Sequence, residues 1–155
     1  MAVHPIAESF AIHNRINLYL LDAVEEPQLA ALLTETKGRN AGEQFAHIHN
    51  VRLMWLKAAA PELIGAMEKI ATEDALQKDK LTRALEQSGE AMVQLLDNAG
   101  ATGRVKGFKP HATAFMGYLI SHESHHRGQI ILTLKRNGYL PGKKTLFGIW
   151  EWGVR

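Results

Sequence analysis

Ser121-His122-Glu123-Ser124-His125-His126-Arg127-Gly128-Gln129-Ile130-Ile131 decides how the chain is read. The stretch lies in a run from about Pro110 to Asn137 with apolar residues every three or four positions. A proline at the first turn and Asn137-Gly138 as the stop predict one long helix. Histidines four apart on a helix lie about 40° from each other, one turn above the other, so His122 and His126 can reach one ion. With His122 as the reference direction, Phe115, Tyr118, Leu119, His126, Gln129, Ile130 and Thr133 fall within about 80°, which puts the histidines in the predicted core stripe. His125 lies about 60° away on the other flank. It and Gln129 are the candidates for a catalytic group, His125 as a proton carrier or as support behind the ligands. Glu123 and Arg127, four apart on a flank, read as an exposed ion pair worth a few tenths of a kcal/mol.

With 155 residues, 46% of them apolar, the chain is expected to form a single domain over 1–155 with one core. It has no Cys, which excludes disulfides, thiolate zinc sites and a cysteine nucleophile. A net charge of +2 with the basic residues scattered gives no electrostatic case for nucleic acid. The first residues, Met1-Ala2-Val3-His4-Pro5, carry neither a basic nor an apolar leader region, and no apolar run is long enough to cross a bilayer. The expectation is a cytoplasmic protein with no membrane partner.

Three further helices are predicted. Pro5 to about Glu26 is amphipathic, its stripe being Phe10, Asn14, Asn17, Leu21 and Val24. Two asparagines on an inward stripe either bond to neighbouring backbone or face a polar cavity. Pro27 ends that helix, and Thr34 to Arg39 reads as a loop closing on Gly38. Asn40-Ala41-Gly42-Glu43 has the form of a capping box and opens a helix to about Ala60, which Pro61 closes. There His47 shares a face with Ile48, Val51, Met54, Trp55 and Ala58, whereas His49 is about 200° away. His47 is therefore the one expected to look inward, a core histidine by itself and a ligand once another helix presents its own. Thr72-Glu73-Asp74 begins a helix to about Asn98, with Gly100 as the stop. Ala101 to Lys109 is a connection long enough to border a pocket mouth.

With no alternating runs that demand a sheet, the economical fold is all-α, an antiparallel up-and-down bundle of four helices. A short aromatic tail, Thr145-Leu146-Phe147-Gly148-Ile149-Trp150-Glu151-Trp152, packs over its own bundle or against a partner subunit. Extra apolar stripes, namely Phe45, Leu53 and Leu56 on the second helix and Ile12, Ile16 and Tyr19 on the first, together with the small-residue line Gly117, Ser121, Ser124 and Gly128, predict a homodimer. The inward stripes nominate Asn14, Asn17, Trp55, Tyr118 and Gln129 as lining for a small-molecule substrate pocket.

The block His122-Glu123-Ser124-His125-His126-Arg127-Gly128-Gln129-Ile130 resembles the C-terminal signature of the DinB/YfiT-like family. His47 followed by Trp55 resembles its first ligand helix, and Asn14 with Asn17 its polar first helix. The resemblance implies a four-helix bundle, commonly a dimer, with a divalent metal held by three histidines, here His47, His122 and His126. It also implies a class of activities that includes transferases and isomerases using low-molecular-weight thiols, and presumed hydrolases. Three neutral imidazoles leave an ion its full charge and open positions, so the set is that of a catalytic site, with zinc or nickel the best-suited ions and iron, cobalt and manganese also compatible. A thiol would arrive as a cosubstrate, since the chain has no Cys.

Two other classes compete. His122-Glu123-Ser124-His125-His126 also satisfies H-E-x-x-H, the zinc peptidase motif with Glu123 as general base. On that reading Glu123→Gln removes nearly all activity, and on the bundle reading it removes little. Alternatively the metal pins a non-enzymatic dimeric binding protein, and stripping it then unfolds the chain.

Overall fold

The computed structural model describes residues 2–34 and 37–155; positions 35 and 36 of the expected loop lie outside the described residues. Four long helices carry the fold: α1 (Pro5–Asp22), α2 (Ala41–Ala59), α3 (Lys78–Thr102) and α4 (Ala112–Arg136), followed by a short α5 (Lys143–Gly148). No strand occurs among the described residues, and none of their helices is long and apolar enough to cross a membrane.

The helix ends follow local chemistry. Asn40 and Glu43 form the capping box of α2, each accepting from the other's backbone N–H at 2.8 Å. His111 caps α4 by accepting from the Ala114 N–H, so Pro110 precedes that helix instead of opening it. The third helix departs from expectation at both ends. Thr72–Leu76 is a 3-10 turn, and extended Gln77 separates it from α3. The stop is Gly103, whose φ of 73° only glycine adopts without strain, and not Gly100. Gly100 stays inside the helix, where the ring of His4 packs against its bare Cα.

The bundle is all-helical as expected, but its helices do not simply alternate. His4 N–H donates to Asp97 and Lys78 Nζ to the Asp22 carbonyl, so α1 and α3 are antiparallel. His49 meets Ala84 and Arg52 meets Ser88, so α2 and α3 run the same way. α4 opposes α2, pairing His47 with His126 and Trp55 with Phe115, and runs parallel to α1. The order is up, down, down, up, because the long connection 60–77 returns the chain to the end where α2 began.

Two apolar clusters fill the interior. One gathers Phe10, Leu56, Met92, Leu96, Phe115 and Leu119, the other Leu20, Phe45, Ile48, Leu81, Leu85 and Ile130. On α2 the core face is therefore Phe45, Ile48, His49, Arg52, Leu53 and Leu56. This corrects the expected stripe: Met54 is 52% exposed, while His49 is buried between the carbonyls of Ala84 and Glu68, donating to one of them as a neutral ring. It also removes part of the case for a dimer, since Phe45, Leu53, Leu56 and Ile16 are all covered within the chain.

Between the two clusters lies a charged layer. Arg52 is 0% and Glu123 1% exposed. The guanidinium grips the carboxylate at both ends, Nε to Oε1 and Nη2 to Oε2, each at 2.7 Å. Its other donors reach the Leu85 carbonyl, Ser88 Oγ and Asn14 Oδ1, and it lies over the Phe10 ring. Glu123 also accepts from His13 Nε2 at 2.8 Å and Asn17 Nδ2 at 2.9 Å. Arg127 donates to Asn17 Oδ1 and to His13 Nδ1. All four long helices contribute, and Gly89 leaves the space that the Asn14 amide occupies. Burial, the largest single effect, would raise the Glu123 carboxyl, but Arg52 and then His13 together outweigh it and hold the group down to about 2.

Glu123 and Arg127 are thus not the exposed pair that their spacing suggests. At position 123 the side chain turns into the core, where a second-helix arginine out-competes its own-helix neighbour.

The C-terminal segment packs on its own bundle. Arg155 lies 3.7 Å over the Tyr19 ring, Arg15 donates to the main-chain oxygen of Arg155, and Ile149 is buried. Phe147 and Trp150 remain exposed.

Removing the charge from Glu123 strands Arg52, so Glu123→Gln should lower unfolding free energy by about 3–5 kcal/mol in urea titration. Acid should act in two stages. Burial pushes the neutral His13 below its ordinary 6.5, against the raising effect of Glu123, so an unfolded chain gains a proton that the fold refuses. The melting temperature should therefore fall as pH drops below 6.5, and fall further between 4.5 and about 2 as the Glu123 contribution is lost.

Candidate metal centre

The charged layer has an outer edge, and there α2 and α4 bring three imidazoles together. Ring centroids are 5.3 Å apart for His47 and His122, 4.5 Å for His47 and His126, and 4.7 Å for His122 and His126. One nitrogen from each lies within 4.8 Å of the others. An ion bound at about 2.0–2.1 Å holds its nitrogens within about 4.2 Å, so small ring rotations complete such a site. His126 is buried, and His47 and His122 are half-buried.

The local sequence explains the convergence. His122 and Glu123 are consecutive on α4 and so point about 100° apart. Glu123 goes inward to Arg52, which leaves His122 and His126 facing α2. On α2, Arg52 points inward and His47 stands on the flank towards α4.

The three rings are neutral near pH 7. Burial pushes His47 down to about 4, with Arg39 and His122 adding to it. Burial first, then the neighbouring histidines and Arg39, pushes His126 to about 4. His122 is lowered by burial against the raising effect of Glu123. Neutral rings have free lone pairs, the form a cation needs.

Gln44, buried on α2, settles the tautomer of His126. Its Oε1 accepts from Nδ1 at 2.6 Å, which leaves the lone pair on Nε2. Nδ1 of His122 is buried and makes no hydrogen bond among the described residues, so that ring has capacity that nothing in the protein uses. These residues fit a divalent cation.

Around the triad stand some of the residues nominated from sequence. Trp55 and Tyr118 join Phe108 and Phe115 in one aromatic cluster, Trp55 to Phe115 at 5.2 Å, and Tyr118 stacks towards His122 at 6.3 Å. Phe108 comes from the 103–111 connection, which thus borders the site. His125 is exposed with its ring 5.1 Å from that of His126, and Gln129 is half-buried one turn beyond. Asn14 and Asn17 do not stand beside the triad: their amides are bonded to Arg52, the Leu85 carbonyl, Glu123 and Arg127 in the buried layer.

A model of the DinB family matches residues 1–151 of the 155. The chain belongs to the DinB family. No curated protein and no solved structure matches it. Family membership and the triad together define a DinB protein with three histidines placed to hold a metal ion.

Gln44 and Arg52 are the residues that sequence reasoning overlooks. A charged residue in the middle of the Phe45, Ile48, Leu53 and Leu56 stripe was the available signal for Arg52. Gln44, three residues before His47, carries none.

Gln44→Leu keeps the volume and removes the acceptor. Affinity for zinc, measured by competition with a chelator, should fall about 10–100-fold with the melting temperature of the metal-free protein little changed.

Proposed function

We propose that this DinB protein is a metal-dependent enzyme acting on a small molecule, with His47, His122 and His126 holding one divalent ion. The observation that carries this reading is the meeting of three neutral imidazoles from two helices, with no fourth protein ligand among the described residues. Zinc or nickel suits an all-nitrogen set best. Bound there, such an ion supplies a nucleophile at neutral pH by lowering the proton affinity of water or of a small thiol.

The protein's own groups have separate tasks in this proposal. Gln44 orients His126, and the Arg52–Glu123 pair fixes α2 against α4. Trp55, Phe108 and Tyr118 shield one side from water and receive the apolar part of a substrate. His125, exposed beside His126, takes up or returns the proton of the molecule that reacts. The reaction is S-transfer from a low-molecular-weight thiol, or hydrolysis, and an electrophile-conjugation assay with several small thiols separates the two.

The peptidase alternative lacks its base. Glu123 is inside the protein, doubly bonded to Arg52, and cannot meet a water near the histidines. The loss of function expected of Glu123→Gln on that reading would now come from unfolding, so the substitution does not separate the classes. The metal-pinned reading fares no better, because two apolar clusters and the charged layer hold the helices without the triad.

The proposal includes a homodimer, with the second copy covering exposed Phe147 and Trp150 beside the groove of Ile120, Gly128 and Ile131. Light scattering should give twice the chain mass, and Trp150→Ala should shift it towards the monomer.

Protein purified without a polyhistidine tag should contain one divalent ion per chain by elemental analysis, and His47→Ala should contain none. Chelation should strip the ion while the helical circular dichroism remains, whereas loss of that signal would favour a structural pin.

A further inference from the structure

Beside the triad, at the start of α2, lies a second space that shares only His47 with it. A pocket of about 300 Å³ is bounded by Gly38 and Arg39 before the helix, by Glu43, His47 and Asn50 on it, and by Thr72 opposite. His47 belongs to both, touching the rings of His122 and His126 and lining this pocket.

The polar groups here have unequal freedom. Asn50 is committed to the backbone of Ile70, accepting from its N–H at 2.9 Å and donating to its carbonyl at 3.1 Å. Glu43 is committed to the capping box and sits at the positive end of the α2 dipole, which offsets its charge. Arg39 is exposed and enters none of the ion pairs among the described residues. Its field reaches all three imidazoles, where it adds to the effect of burial. A guanidinium presents a planar fork that matches a carboxylate.

We propose that Arg39 is a specificity-determining residue for a substrate carrying a carboxylate, whose charged end lies against the guanidinium in this pocket while its reacting end lies at the histidine triad. With the Glu43 charge offset by the helix dipole, the single positive charge of Arg39 matches a monoanionic carboxylate better than a dianionic phosphate. The substrate is thereby an elongated molecule with an acidic end towards Arg39. The inference rests on the triad being the reacting centre, and the test separates the two.

The test compares binding of 3-mercaptopropionate and of its neutral isostere 3-mercaptopropionamide to zinc-loaded protein by calorimetry, for wild type and Arg39→Gln, with zinc content measured on each sample. The acid should bind about tenfold tighter than the amide to wild type, the size of one charge-assisted contact. In Arg39→Gln the two should bind alike, with zinc still at one per chain. Equal binding to wild type, or a preference that survives Arg39→Gln, would overturn the assignment of Arg39 and leave the triad standing. Wild type that takes up no zinc would overturn the triad reading and this inference with it. Arg39 is on the surface outside both apolar clusters, so its replacement leaves the fold intact.

Discussion

The buried pairing of Arg52 with Glu123 is the constraint on which the molecule turns. Neither charge tolerates the interior alone, and removal of either partner leaves the other desolvated without compensation. The pair joins α2 to α4 at one height, and the remaining donors and acceptors of both residues are spent on α1 and α3. That arrangement does more than hold the bundle. A side chain at 123 that must reach Arg52 sets the rotation of α4, and Arg52 likewise sets the rotation of α2. With both rotations set, His122 and His126 meet His47 at the edge of the same layer.

The site is therefore an outgrowth of a polar layer between two apolar clusters, and its electrostatics follow from that position. Inside the layer every donor of Arg52 has an acceptor, so the charge is neutralised and rigid. At the edge the imidazoles are neutral, only partly satisfied and flanked by aromatic rings on one side and Arg39 on the other. Rigidity within and unsatisfied capacity without is the combination that a binding site needs.

The four helices, the α2 capping box, the Gly138 region as the end of α4 and the approach of His47 to His122 and His126 were legible in the sequence. They depend on local signals or on the helical period alone. The facing of α2 was not. Its residues carry apolar groups on two faces about 150° apart, and period cannot choose between them; His47 favours the wrong one. Because His47 sits on a flank, it still reaches the triad, so the ligand set survives an error about the core. Glu123 misled for a related reason. Spacing pairs it with Arg127 on its own helix, whereas the partner that wins stands 71 positions away in sequence. The asparagines of α1 stand out on an inward stripe, but their partners lie on other helices, which a one-dimensional reading cannot supply. The direction of α3 likewise depends on the return of 60–77 along the bundle.

The most direct measurement is X-ray absorption at the zinc edge of protein carrying one zinc per chain, with His47→Ala as the comparison. The expected spectrum has three imidazole nitrogens at about 2.0–2.1 Å and at least one further light atom that is replaced when a small thiol is added. A spectrum without three imidazoles, or one with every position filled by protein and unchanged by the thiol, would contradict a three-histidine centre open to an outside molecule.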